Sequence, residues 1–265
     1  MLESDTIYFL MSKFLMGTLM FVRVLGFMAA APLFKNTAVL PQLKIFLAAI
    51  IAVMLTSSYW EQQPVIDFHL WYMALLVLKE FFLGAVIGFS ARLVFFSARF
   101  AGGLIDLGMG YQTSALFDQN NVTPTLIGEL KELVVLMLFI YLGGPEQIIE
   151  TLYASMRAVP LTTFEVTSSS VGLFIKFATT VFIMGLKMAA PVLVALFCTN
   201  LALALLARVA PQTNIFILSF QIKVIVGLLV LSVSMPLFIY VAKWALGTLQ
   251  QTTMEIIMSL NPGRI

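Results

Sequence analysis

The stretch from Met188 to Ala242 constrains this chain more than any other. Two apolar runs without a charge, Met188–Ala207 and Val224–Ala242, flank the polar insert Arg208-Val-Ala-Pro-Gln-Thr-Asn214. Each run is close to the ~20 apolar residues that an α-helix needs to cross the core of a bilayer. Arg208 closes the first helix, Pro211 forbids its simple continuation, and Thr213 or Asn214 can cap the second. The spacing predicts a hairpin of long apolar helices with a polar tip. In its second arm Phe216, Phe220, Lys223 and Gly227 recur at helical intervals, so one face carries aromatic bulk, a cation and a small residue. Ser219 lies one turn before Lys223. A lysine inside an apolar helix is costly without a partner.

Composition removes the soluble alternatives. The 265 residues are 61% hydrophobic and only 11% charged, with a mean hydropathy of +1.02; a soluble domain is about a quarter charged. A net charge of +2, scattered along the chain, gives no nucleic-acid surface. The single cysteine, Cys198, excludes an intrachain disulfide and reads as a buried small apolar residue. The start, Met-Leu-Glu-Ser-Asp5, is acidic and lacks the basic opening of a signal peptide.

Along the chain, apolar segments run over 7–34, 45–60, from 68 past Arg99, 126–142, and from Val171 into the hairpin. About six conventional spans result. Basic residues Lys35, Lys44, Arg92, Arg99 and Arg208 mark one side and Glu61, Asp67, Glu146, Glu150 and Glu165 the other, which puts the N-terminus outside by the positive-inside rule. Gly84-Ala-Val-Ile-Gly88 is a G-x-x-x-G, where another helix can approach closely. Residues 101–124 hold four glycines within nine positions, which weakens a helix, followed by Asp118-Gln-Asn-Asn and Pro124, which read as a loop. Residues 145–168 suggest a short surface helix and a loop, and residues 243–265 an amphipathic tail.

No enzyme chemistry is legible. The one histidine, His69, follows an acidic loop, and neither H-E-x-x-H, C-x-x-C nor a Walker motif occurs. The aspartates Asp5, Asp67, Asp106 and Asp118 lie in or near predicted loops, and no serine has a candidate base nearby. No metal and no cofactor is expected. The charges within apolar segments, Lys79, Glu80, Glu129, Glu132 and Lys187, need another account. Glu129 and Glu132 share a helix face. The plain expectation pairs Glu80, Glu129 or Glu132 with Lys187 or Lys223 inside the chain; the alternatives are pairing with partner subunits and ion translocation. The methionines read as core filler, except Met109 in the glycine-rich region, where a deformable side chain can seal a passage.

Two motifs carry a resemblance. Leu-Leu-Ala-Arg-Val-Ala-Pro-Gln-Thr-Asn-Ile-Phe, from Leu205 to Phe216, resembles the signature of the FliR family of flagellar and type III secretion export-gate membrane proteins. Ala189–Leu196, Gln212-Thr-Asn214 and Leu218-Ser-Phe-Gln-Ile-Lys223 resemble the small hairpin protein FliQ, with Gln221 where FliQ has proline. The resemblance implies an all-α, membrane-associated bundle of long, broken apolar helices. Residues 1–177 would form a FliP-like part and residues 178–265 a FliQ-like hairpin with its tail. It also implies a plug loop near 106–123 that occludes the export channel, with Gly108, Met109, Gly110, Tyr111, Leu116, Phe117 and Asp118 as its residues. Gln119 stands where relatives have proline. Gly84, Gly88, Arg208, Pro211, Gln212, Ser219, Phe220 and Lys223 would make subunit contacts.

The function implied is that of a non-catalytic subunit of the flagellar protein-export gate. It would sit in the bacterial inner membrane at the flagellar basal body, partly held above the membrane plane. Its partners would be FliP-like and FliQ-like subunits, FlhB-like and FlhA-like components, membrane lipid, and the unfolded proteins that pass through. The rival reading is a secondary transporter of a small solute or ion, since broken helices with Gly and Pro at depth also build transporter sites; the two halves of this chain, however, do not match each other.

Overall fold

The computed structural model describes residues 2–32, 40–59, 70–111, 125–210 and 214–261. Among them are seven helices and no strand: α1 (Leu2–Ala30), α2 (Pro41–Tyr59), α3 (Leu70–Met109), α4 (Leu126–Tyr141), α5 (Gly144–Ala158), α6 (Ser168–Val209) and α7 (Ile215–Ser259). The all-α class is as the apolar patterning requires. Five helices are long and apolar enough to cross a membrane: α1, α2, α3, α6 and α7. The sixth expected span, over 126–142, is α4. Its 16 residues give about 24 Å at 1.5 Å per residue, short of a ~30 Å core.

Three expectations are corrected. The glycine-rich region does not break α3, which continues through Gly102, Gly103 and Gly108 to Met109. The cost of glycine in a helix is offset by packing. A Cβ on Gly102 would run into the backbone of Gly128 on α4, so the two helices cross at a distance that only glycine permits. Secondly, Cys198, expected to be buried, is exposed on α6. Asp106, expected in or near a loop, lies in the last turn of α3 and is buried.

The chain forms two compact units that do not follow chain order: Met1–Leu93 with Gly143–Phe177 and Thr248–Ile265, and Val94–Leu142 with Ala178–Gly247. In the first unit α1 lies against α2 and α3. Gly84 meets the Arg23 carbonyl and Gly88 the Phe27 carbonyl, with no space for a Cβ at either. The close approach expected at the G-x-x-x-G is therefore made by α1 of the same chain. Gly143, at φ +72°, turns the chain into α5, and Pro145 stands in its first turn. The inner face of α5 buries Ile148, Leu152, Ser155 and Met156.

Beside the glycine contact lies a buried ion pair. Arg23 of α1 and Glu80 of α3 are both fully buried, with Arg23 Nε donating to Glu80 Oε2 at 2.6 Å. Arg23 Nη1 also donates to the carbonyls of Ser155 at 3.3 Å and Val159 at 3.0 Å, which lie in and just beyond the last turn of α5. The Ser155 carbonyl also accepts from the Val159 N–H at 2.9 Å, and a cation at this end of α5 faces the negative end of the helix dipole. Glu80 Oε1 accepts from the backbone N–H of Thr162 at 3.3 Å. Thr162 has φ +76°, a backbone state that a β-branched residue rarely adopts. One ion pair thus joins α1, α3, the end of α5 and the turn that follows it.

The second unit contains the end of α3, α4 and most of α6 and α7. Phe95 and Phe139 meet edge to face at 5.5 Å between α3 and α4. Arg99 of α3 reaches Glu132 at 2.8 Å and Glu129 at 3.6 Å on a partly exposed face. Glu80, Glu129 and Glu132 are therefore paired within the chain, but with Arg23 and Arg99 rather than with Lys187 or Lys223. The helix crossings decide this. The small-residue contacts bring α1 and α4 against α3, and their charges meet there. Lys187 is exposed and Lys223 half-buried.

Candidate functional site

The residues singled out near 108–111 gather where α3 ends, inside the second unit. Gly110 has φ +89°, the left-handed state that commonly closes a helix, and its N–H donates to the carbonyls of Asp106 and Leu107 at 3.0 and 3.1 Å. Met109 is fully buried. Its thioether lies directly over Gly227 of α7, where a Cβ would collide with the Met109 side chain. Two residues on, Tyr111 meets Phe220 of α7 edge to face, with ring centres 6.1 Å apart and planes at 88°. Gly108 faces Leu193 and Leu196 of α6. The face of α7 that carries Phe220, Lys223 and Gly227 is thus the seat on which the end of α3 closes. It has an aromatic edge and a gap the size of one missing side chain, which an unbranched thioether fills without a fixed shape.

The same turn is tied to α4. Asp106 Oδ1 and Oδ2 lie 3.3 and 3.2 Å from the backbone N–H of Ile127, in the first turn of α4. Thr125, at the N-cap position, makes no side-chain cap, so the cap comes from another helix. A carboxylate suits this position because it satisfies an open N–H and faces the positive end of the helix dipole. Asp106 therefore pins both ends of the segment between α3 and α4. Leu116, Phe117 and Asp118 of the expected plug lie outside the described residues, as do Pro211 and Gln212 at the hairpin tip and His69.

One turn into α4, Lys131 is fully buried. It donates to the Met188 carbonyl of α6 at 3.2 Å and sits 4.5 Å from the centre of the Phe238 ring of α7. A carbonyl and a ring face are weak substitutes for water, and burial pushes this ammonium down to about 8. Lys131 joins three helices and places Met188 and Phe238 at one level of the hairpin. The remaining candidates fall elsewhere. Ser219 is half-buried and Phe220 partly exposed on α7, Arg208 is exposed at the end of α6, and Lys79 is half-buried in the first unit. Among the described residues no three His, Cys, Asp or Glu side chains converge as metal ligands would.

Arg23, Asp106 and Lys131 were not readable as site residues. Arg23 and Lys131 interrupt apolar runs as other charges do. The usable signal was indirect: Glu80 and Gly84 are one turn apart, as are Asp106 and Gly102. A charge one turn from a close helix contact is placed to reach the neighbouring helix.

Comparison with known proteins follows the same lines. Residues 14–249 match the family described as bacterial export proteins, family 1. The chain is 27% identical over 219 residues to the flagellar biosynthetic protein FliR of Buchnera aphidicola subsp. Acyrthosiphon pisum, covering 82% of this chain and 84% of that one. It is 30% identical over 218 residues to FliR of Pectobacterium carotovorum subsp. carotovorum, covering 82% and 83%. The Yop proteins translocation protein T of Yersinia pestis is 29% identical over 174 residues, covering 64% of this chain and 66% of that protein.

Proposed function

The chain belongs to the bacterial export proteins, family 1, and on that premise we propose that it is a non-catalytic core subunit of a flagellar type III export gate. The observation that carries this reading is the extent of the match. Relatives named for flagellar biosynthesis align over 82% of the chain, and the secretion relative over 64%, which favours the flagellum. In this reading the chain assembles with FliP-like and FliQ-like subunits around a pore in the inner membrane of the basal body. It engages FlhB-like and FlhA-like components, and energy for moving unfolded substrates comes from elsewhere in the apparatus. Residues 1–177 act as the FliP-like part and 178–265 as the FliQ-like part. Subunit contact falls to the hairpin tip, Arg208 to Lys223.

The end of α3 fits the role of a closure. Met109 and Tyr111 hold to α7 through apolar and ring contacts, which are individually weak and can be displaced by a passing chain without breaking an ion pair. The residues beyond Tyr111, including Leu116 and Phe117, would fill the passage itself.

The test is purification of the tagged chain from a flagellated host in mild detergent. The two neighbouring apolar export subunits should come with it, and the chain made alone should aggregate, since exposed apolar residues cover α6 and α7. A stable, monodisperse monomer that binds no export subunit and moves a small solute across vesicles would replace this reading with the secondary transporter.

A further inference from the structure

Both arms of the hairpin are weakened at one level of the second unit, and a charge is buried beside that level. Pro191 lies inside α6 and Pro236 inside α7. A proline within a helix has no N–H for the carbonyl four residues back, here those of Lys187 and Ser232, and helices kink at such residues. On α7 the hydroxyls of Ser232 and Ser234 also donate to the carbonyls of Leu228 at 2.9 Å and Leu231 at 3.1 Å, a bond that often bends a helix. Lys131 of α4 shows that the two prolines are level. It touches Met188, three residues before Pro191, and Phe238, two residues after Pro236. Each proline therefore stands slightly to the tip side of the lysine.

The contacts that hold the end of α3 all lie beyond that level. Gly108 faces Leu193 and Leu196, Met109 fills the gap at Gly227, and Tyr111 meets Phe220. The end of α3 and the start of α4 are fixed to each other, because Gly102 lies on Gly128 and Asp106 binds the Ile127 N–H. Bending of the arms at Pro191 and Pro236 would therefore draw Gly227 away from Met109 and admit water to Lys131. The Lys131 ammonium is fully buried, with one carbonyl and one ring face as partners. No carboxylate among the described residues forms an ion pair with it. Glu129 and Glu132 of its own helix hold Arg99 of α3, and Asp106 of α3 is bound to the Ile127 N–H. The charges nearest in sequence to its contacts on α6 and α7 are exposed cations, Lys187 and Lys243. A buried ammonium held in this way gains by reaching water.

We propose that Lys131 is a positioning residue for the closure: its protonation favours arms bent at Pro191 and Pro236, with Met109 unseated, and loss of the proton favours the seated arms. The effect on the gate rests on the closure proposed above; the bending itself does not. The sign follows from proton binding. In the seated state burial pushes the ammonium down to about 8, from the ordinary value of 10.5 that it regains in water. Between these values the seated state binds fewer protons than the bent one. Raising the pH from 7 to 9 should therefore shift the ratio of seated to bent arms upward by as much as about tenfold.

Bend and leak can be read separately in the full-length chain, assembled with cysteine-free partner subunits in vesicles. One nitroxide is attached to the native Cys198, exposed on α6 beyond Pro191. A second is attached at Met137→Cys, exposed on α4. Their separation is measured by double electron–electron resonance at pH 7 and pH 9, and ion conductance is recorded on the same vesicles. Two separations are expected, with the population ratio shifting by the factor above and conductance falling as the pH rises. Lys131→Met, which keeps an unbranched side chain and removes the charge, should give the seated separation and low conductance at both pH values. A separation that is the same at pH 7 and pH 9 in the chain with its native lysine would overturn the proposal. So would a pH shift that survives Lys131→Met. A pH-dependent separation that Lys131→Met abolishes, with conductance unchanged throughout, would uphold the bending and remove the closure reading instead. The titration needs no substitution at Lys131, so a folding failure of that variant leaves the first comparison intact.

Discussion

Glu80→Ala removes the chain from the assembled complex. Its carboxylate is the acidic partner of Arg23, and both side chains are fully buried. Deleting one partner of a buried pair costs about 3–5 kcal/mol, because the other charge remains buried and uncompensated. Two features raise the cost here. Arg23 Nη2 is already without a hydrogen-bond partner, so the guanidinium has no spare contact. The Thr162 N–H also loses its acceptor, and that residue holds an unfavourable backbone angle. Steady-state abundance in the membrane and yield of the purified complex should both collapse. The double variant Arg23→Met with Glu80→Leu should recover much of the loss, since it removes both charges and keeps apolar volume. Equal loss in single and double variants would show that packing, not charge, is what Glu80 supplies.

The second large effect belongs to Gly84. Its Cα hydrogen faces the Arg23 carbonyl and the Phe27 backbone, at a separation that excludes even a methyl group. Gly84→Leu must push α1 away from α3, and the displaced backbone carries Arg23 with it. Helix contacts built on small residues lose their close approach when a large side chain enters. The expected outcome is loss of folded protein comparable to that of Glu80→Ala, seen as rapid degradation in the membrane fraction. Gly103→Leu serves as the reference, because a Cβ there meets only the Thr125 methyl at 3.5 Å; its abundance should stay near that of the unaltered chain. Similar abundance of both variants would remove the distinction.

The sequence carried the helical class and the hairpin because both rest on composition and period. An uncharged run close to 20 residues has few alternatives once water is absent, and Arg208 and Pro211 punctuate it. The course of α3 was hidden by the rule that reads clustered glycines as breaks. Propensity compares glycine with alanine in an isolated helix, whereas here alanine at Gly102 would collide with α4. The ion-pair partners were hidden for a related reason. Periodicity gives the face on which Glu80 or Glu132 lies, but not which helix crosses that face. Arg99 lay in a stretch read as the basic end of a span, yet it sits on a helix that runs ten residues further. At the candidate site, Met109 stood out by its surroundings, and the Phe220–Gly227 face by its spacing. Nothing in the sequence joined the two, because the complementarity is between a missing side chain on one helix and a flexible one on another.

On the proposed function, the end of α3, seated on α7, closes a passage used for export. Gly227→Leu tests it most directly, since the new side chain fills the space that the Met109 thioether occupies. Ion conductance and salt sensitivity would be measured in cells that express the variant with its partner subunits, alongside the yield of the complex. The expected result is a complex that still assembles but leaks ions and small solutes, because Met109 loses its seat on α7. A complex of normal yield that stays as tight as the unaltered one would contradict it, and Met109 would then be core packing and nothing more.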